Sequence, residues 1–157
     1  MSKSAAEHST IVLARTYDSP IDRVFAAFSD PEERVRVHAL STSFTFEFYK
    51  ADQRVGGHDV FRFGPRRGLQ FRGETFYHAI APGRRIICTD IVHAGDIRLW
   101  VGLTTIELEL IKRRTQVKVT TQIVRLDDDD SIQGAESRYS VYLENLGSYL
   151  HRERAGE

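Results

Sequence analysis

Asp52-Gln53-Arg54-Val55-Gly56-Gly57 is the stretch that decides how this 157-residue chain folds. An acidic and a basic side chain run into two consecutive glycines, which marks a tight bend where a side chain would obstruct the chain path. On either side the apolar residues recur at every second position. Phe44, Phe46 and Phe48 alternate with Thr45 and Glu47 before it, and Phe61 and Phe63 resume the alternation after it. A period of two belongs to a half-buried strand. The stretch therefore reads as a bend between two strands, with Arg54 expected to pair with a nearby carboxylate.

Outward toward the C-terminus the same grammar repeats. Gly64-Pro65-Arg66-Arg67-Gly68 is turn chemistry leading into a strand from Leu69 to Ile80, and Ala81-Pro82-Gly83 turns into another from Arg84 to His93. Residues 94–97 turn into a long strand, Arg98 to Ile111. Lys112-Arg113-Arg114 makes the last hairpin, and Val117, Val119, Thr121 and Ile123 mark the final strand. Asp127 to Gly134 reads as a solvated acidic loop. A helix follows, with Tyr139, Tyr142, Leu143, Leu146, Tyr149 and Leu150 on one face and Arg138, Glu144, Asn145 and Ser148 opposite.

Toward the N-terminus, residues 10–17 form a first strand. Ser19 is placed to cap a helix with Pro20 at its first position, and Ile21, Val24, Phe25 and Phe28 make its buried stripe. Ser29-Asp30-Pro31-Glu32-Glu33 repeats the start signal, predicting a second short helix that ends near Val37. The order is strand, two helices, six hairpin-linked strands and a long helix. That is an α+β protein in which a curved antiparallel sheet covers the stripe of the last helix.

Hydrophobic residues make up 41% of the chain and charged residues 28%, the balance of an ordinary globular domain. The 22 basic and 22 acidic residues cancel, so no overall field recruits nucleic acid or an anionic membrane. The single cysteine, Cys88, lies in an apolar run and has no partner for an internal disulfide, which points to a reducing compartment. Met1 to Ser9 carries no apolar signal core, and no apolar run reaches the length of a membrane span. The expectation is one cytoplasmic domain over residues 1–157, with an ordered core of about 10–151.

Several motifs resemble the helix-grip fold of the START/SRPBCC (Bet v 1-like) superfamily. Within it, they resemble the bacterial polyketide-cyclase-like branch named after the activator of the heat-shock-protein-90 ATPase, homologue 1. Arg15-Thr-Tyr-Asp-Ser-Pro20, Val24-Phe25-Ala26-Ala27-Phe28 and Asp30-Pro31 resemble that branch's opening pattern. Asp52-x-Arg54-Val-Gly56-Gly57 resembles its central signature, and Tyr77-His78-x-Ile80-x-Pro82 with Arg85-Ile86-Ile87 and Thr89 its next hairpin. The chain departs from it in two places. Val35-Arg-Val-His38 stands where relatives carry tryptophans, and Ala79 where they often carry a carboxylate. The resemblance implies a cavity between sheet and long helix, but no shared catalytic set.

The residues expected to line such a cavity are Phe46, Phe48, Phe61, Phe63, Tyr77, Arg98, Trp100, Tyr139 and Tyr142. They would hold a hydrophobic or aromatic small molecule, with Tyr77, Arg98 and Trp100 making its polar and stacking contacts. Tyr77, His78, Asp90, Arg98 and Glu109 are the acid–base candidates, and alternation puts His78 outside if Tyr77 faces in. His38, His58, His78 and His93 show no metal-ligand spacing, although His78 and His93 could meet across a hairpin; neither a metal nor a cofactor is expected. Leu99-Trp100-Val101-Gly102-Leu103 is apolar at both parities, which asks for cover from the N-terminal helices or from a second copy in a homodimer. The alternative function is a co-chaperone-like interaction domain acting through its outer surface.

Overall fold

The computed structural model describes residues 6–42, 44–65, 68–127 and 131–156. Arg66 and Arg67 of the basic turn, and Asp128 to Asp130 of the acidic run, lie outside them. The elements follow the expected order: β1 (His8–Tyr17), α1 (Ile21–Ser29), α2 (Pro31–Ala39), β2 (Phe44–Lys50), β3 (His58–Pro65), β4 (Phe71–Ala81), β5 (Arg85–Ala94), β6 (Ile97–Ile111), β7 (Arg114–Arg125) and α3 (Ser131–Arg154). The seven strands make one antiparallel sheet in the order β1-β7-β6-β5-β4-β3-β2. With α3 laid across its inner face, this is the helix-grip α+β arrangement.

The signature bend is pinned at both glycines. Gly56 takes a φ of 82°, a conformation that side chains disfavour. A Cβ on Gly57 would run into the carbonyl of Asp52 and the backbone of Arg54. Gly56 N donates to Tyr77 O at 2.9 Å and Tyr77 N to Gly57 O at 3.1 Å, so the bend is fastened to β4 at Tyr77. Arg54 Nε donates to Asp52 Oδ1 at 3.0 Å, the pairing anticipated for it.

The helix starts differ from expectation. Pro20, not Ser19, stands at the cap of α1, with no side-chain cap. Ser19 is buried instead, and its carbonyl accepts from Thr115 Oγ1 at 2.7 Å. Asp30 both ends α1 and caps α2, its Oδ1 accepting from Glu32 N at 2.9 Å and Glu33 N at 3.2 Å. The α3 backbone is helical from Ser131, so the acidic loop is shorter than the reading to Gly134.

Two bulges re-aim side chains at the sheet centre. Tyr77 pairs with Cys88 and Ala79 with Ile87, so His78 is an extra residue in β4, exposed and 2.8 Å from Thr89 Oγ1. His78 and His93 consequently stand toward opposite ends of the β4–β5 hairpin and do not meet; His93 pairs with Arg72. In β6, Val92 pairs with Trp100 and His93 with Arg98, which leaves Leu99 as the bulged residue. Leu99 and Trp100 are therefore both buried, and the double parity read from the sequence is in this part a bulge rather than a second face in need of cover.

Candidate functional site

The space between α3 and the sheet contains a cavity in which about 100 Å³ is open to the centre of a water-sized sphere. Its aromatic wall comes from β2 and β3, whose inward positions put Phe46, Phe48 and Phe61 side by side. The Phe46 and Phe61 rings stack with centroids 5.0 Å apart, and Phe48 meets Phe46 edge-on at 4.9 Å. Helix α2 contributes Arg34 and His38, four residues apart and hence on one face. The His38 ring lies parallel to Phe46 at 3.6 Å, and the Arg34 guanidinium sits 4.5 Å above the Phe48 ring.

Two buried carboxylates stand in one cross-strand row of the sheet. Asp59 pairs with Thr75 and Thr75 with Asp90, so two strand spacings, roughly 10 Å, separate the two acids. Asp59 has no accessible surface. It accepts from Arg34 Nη2 at 2.6 Å, from the backbone N of Asp52 at 2.8 Å, and from the Tyr77 hydroxyl. Asp90 accepts from Thr75 at 2.5 Å, from Thr104 at 3.1 Å and from the Tyr139 hydroxyl, and Arg138 Nη2 lies 3.5 Å away. Each acid thus has its own guanidinium and a set of neutral donors, the condition under which a buried charge is tolerated.

Arg138 is the main departure from the amphipathic reading of α3. Instead of facing solvent, it is buried beneath the helix, 4.7 Å from the Tyr139 ring and 5.3 to 5.8 Å from the rings of Phe61, Phe63 and Trp100. Asn145, also assigned to the outer face, reaches Val37 O and Ser41 Oγ.

Burial keeps the titratable hydroxyls and thiol neutral. Tyr77, Tyr139 and Tyr142 all have pKa values pushed above the ordinary tyrosine value, first by desolvation. Cys88, opposite Tyr77 on the cavity floor, is raised by burial and then by Asp90, so it is a thiol rather than a nucleophilic thiolate. His38 is held down to about 3, by burial first and then by the charges of Arg34 and Arg138. It is a neutral imidazole at neutral pH.

Of the residues expected at the cavity, Phe46, Phe48, Phe61, Tyr77, Tyr139 and Tyr142 line it. Phe63 lines a smaller adjoining void of about 20 Å³, separated from the first by His38, Phe46, Arg138 and Tyr142. Trp100 is packed beneath Arg138 and does not reach the cavity. Arg98 is a correction: it is exposed at the start of β6, on the far side of the bulge, and contributes nothing to the wall. Among the acid–base candidates, Tyr77 and Asp90 face in, while His78 and Glu109 are exposed. The polar wall residues Arg34, Gln53 and Arg138 were not anticipated, nor was Asp59, which holds Arg34 and Tyr77 from outside the wall. Among the described residues, no three His, Cys, Asp or Glu side chains converge as a metal-ligand set, and no helix is long and apolar enough to cross a membrane.

Comparison with known proteins places this geometry. A family model described as activator of Hsp90 ATPase homolog 1-like protein matches residues 18–151. Among solved structures, the Mll3558 protein from Rhizobium loti is 33% identical over 92% of this chain and 98% of its own, with a TM-score of 0.81. A protein from Rhizobium leguminosarum is 30% identical over 94% of this chain and 97% of its own, with a TM-score of 0.82. CalU16 from Micromonospora echinospora, 18% identical over 97% of this chain and 90% of its own with a TM-score of 0.66, shares the fold. No curated protein matches the chain.

Proposed function

The chain belongs to the activator of Hsp90 ATPase homolog 1-like family, and from that premise we propose that it binds a hydrophobic or aromatic small molecule in the cavity beneath α3. The observation that carries this reading is the wall itself. Four phenylalanine rings, Phe28, Phe46, Phe48 and Phe61, and the Tyr142 ring form an apolar lining, into which a few fixed polar groups project from α2 and β4. Apolar lining with sparse convergent polar groups is the anatomy of a small-molecule site. A void of about 100 Å³ is on the scale of a single ring, somewhat below the roughly 150 Å³ apolar cavity that takes up benzene.

Binding is the better reading than catalysis. The phenols of Tyr77, Tyr139 and Tyr142 are each already committed as hydrogen-bond donors, and the Cys88 thiol is neutral. Chemistry of the polyketide-cyclase kind would need one of these groups released when the ligand enters.

The test uses uncharged aromatic amides of increasing size: benzamide, cinnamamide and 2-naphthamide. They are titrated into the full chain while side-chain resonances of Phe46, Phe48 and Phe61 are followed by NMR. At least one amide is expected to shift those resonances saturably, and Ile106→Phe, which adds volume at the cavity wall, is expected to abolish the shift while the protein stays folded. If no amide perturbs the three rings, the reading fails. A co-chaperone role through the outer surface predicts instead that Ile106→Phe changes nothing in function.

A further inference from the structure

The cavity has more donors than acceptors. Asp90 in its wall, and Asp59, which is bonded to the wall residues Arg34 and Tyr77, are each surrounded by at least three donors of the protein itself. The phenolic hydrogens are spent as well: Tyr77 donates to Asp59, Tyr139 to Asp90, and Tyr142 to Ala27 O at 2.6 Å. The guanidiniums are in the opposite position. Arg34 gives its Nη2 to Asp59 and Tyr77, while its Nη1 is buried and has no acceptor. No other side-chain nitrogen or oxygen among the described residues is buried without a partner. Arg138 meets Asp90 only at 3.5 Å and is otherwise held among aromatic faces.

An unfilled N–H on a buried charged group costs about 1–3 kcal/mol or more, so the place is one where an acceptor is missing. An ionised acceptor answers a guanidinium best, because hydrogen bonds between charged partners are roughly twice as strong as neutral ones. The neighbouring wall agrees in sign. After burial, the charges that hold His38 unprotonated are those of Arg34 and Arg138.

We propose that the ligand of this cavity is an aromatic or conjugated organic acid, its carboxylate accepting from the Arg34 guanidinium and its ring lying against Phe46, Phe48 and Phe61. This rests on the reading of the cavity as a small-molecule site and specifies the class of molecule. Arg34 is the anchor, Arg138 supplies a second positive charge, and His38 is a neutral wall that stacks but does not compete for the acid.

The experiment pairs each amide with its acid: benzoate, cinnamate and 2-naphthoate against benzamide, cinnamamide and 2-naphthamide, titrated into the full chain at pH 7. Shape is held nearly constant while charge changes. In the tightest pair the acid is expected to bind at least tenfold more tightly than the amide. Arg34→Gln combined with Asp59→Asn removes both charges together, leaving no buried carboxylate unpaired. In that variant the acid's advantage over the amide is expected to fall below twofold.

If acid and amide bind the unaltered protein alike, a cavity water satisfies Nη1 and the acid assignment is wrong, although the cavity reading stands. If the advantage survives in the double variant, Arg34 is not the anchor. If neither acids nor amides bind, both readings fall. The comparison within the unaltered protein decides between acid and amide even if the double variant does not fold.

Discussion

The space between α3 and the sheet is filled in two different ways. In one half, Val24, Ala27, Val37, Val117 and Leu146 have no accessible surface, and branched aliphatic side chains from α1, α2, α3 and β7 interlock. The other half lies under the first turns of α3, where Phe46, Phe48 and Phe61 face two buried Arg–Asp pairs. This second half has the more specific interactions, yet it holds the void. Aliphatic side chains can settle into whatever space remains. Stacked rings and guanidiniums fixed by hydrogen bonds cannot, because closing the gap would break geometry they need. The cavity is thus propped open by polar pairs rather than left over from poor packing.

Breaking a prop should therefore cost at least as much as hollowing out the filled half. Asp90→Ala leaves Arg138 buried without its carboxylate and strips an acceptor from Thr75, Thr104 and Tyr139. It is expected to destabilise the protein by about 3–5 kcal/mol in urea unfolding, the range for losing one partner of a buried pair. Leu146→Ala in the filled half is expected to cost about 2–5 kcal/mol, from lost burial plus the cavity it leaves. The two differ in a second readout: Leu146→Ala should leave the affinity for aromatic amides unchanged, and Asp90→Ala should not. An Asp90→Ala protein as stable as wild type would mean that the pairs are not props.

The filled half was more legible in the sequence than the propped one, and the reason is physical. Apolar residues at helical and strand spacing have one plausible destination, so Val24, Phe28, Val117, Val119, Leu143 and Leu146 could be placed without a structure. Charged residues are rarely buried, so Arg138 read as surface, and Arg34 and Asp59 were not singled out. The signal was nevertheless present. Asp59 shares strand parity with Phe61 and Phe63, and Asp90 with Ile86 and Cys88. Arg138 lies about 20° from Tyr149 around the helix at 100° per residue, on the edge of the stripe from which its chemistry excluded it. Asp90 was already among the acid–base candidates, and weighing position before polarity would have found Asp59 and Arg138 as well. Arg98 failed for the opposite reason: its neighbourhood to Trp100 suggested an inward residue, but the bulge at Leu99 breaks the count.

His38 stands in the wall of the propped half, and its protonation tests whether that half excludes charge that it has not paired. Its pKa is about 3 in the folded chain against an ordinary 6.5. Between those values the unfolded chain carries the extra proton, so stability must fall as the pH is lowered through this window. The slope is at most about 1.4 kcal/mol per pH unit, or about 2 kcal/mol between pH 6.5 and 5. Urea midpoints measured at pH 7 and pH 5 should separate wild type from His38→Gln by that amount, with wild type losing more. Equal losses in the two proteins would assign the acid sensitivity to other groups and place His38 in contact with bulk water.

Arg98→Ala is expected to have the smallest effect, and it bounds the propped half. Arg98 and Arg138 are both arginines near Trp100 in sequence or in space, but only Arg138 is carried under the helix. An exposed side chain at a strand start, beyond a bulge, should change stability by no more than about 0.5 kcal/mol when removed. It should also leave amide and acid affinities where they were. Because Arg98 lies beside the turn between β5 and β6, a tenfold loss of binding on its removal would extend the ligand's reach past the Leu99 bulge. The division between a filled and a propped half would then be drawn in the wrong place, since the cavity would open onto that turn instead of stopping short of Trp100.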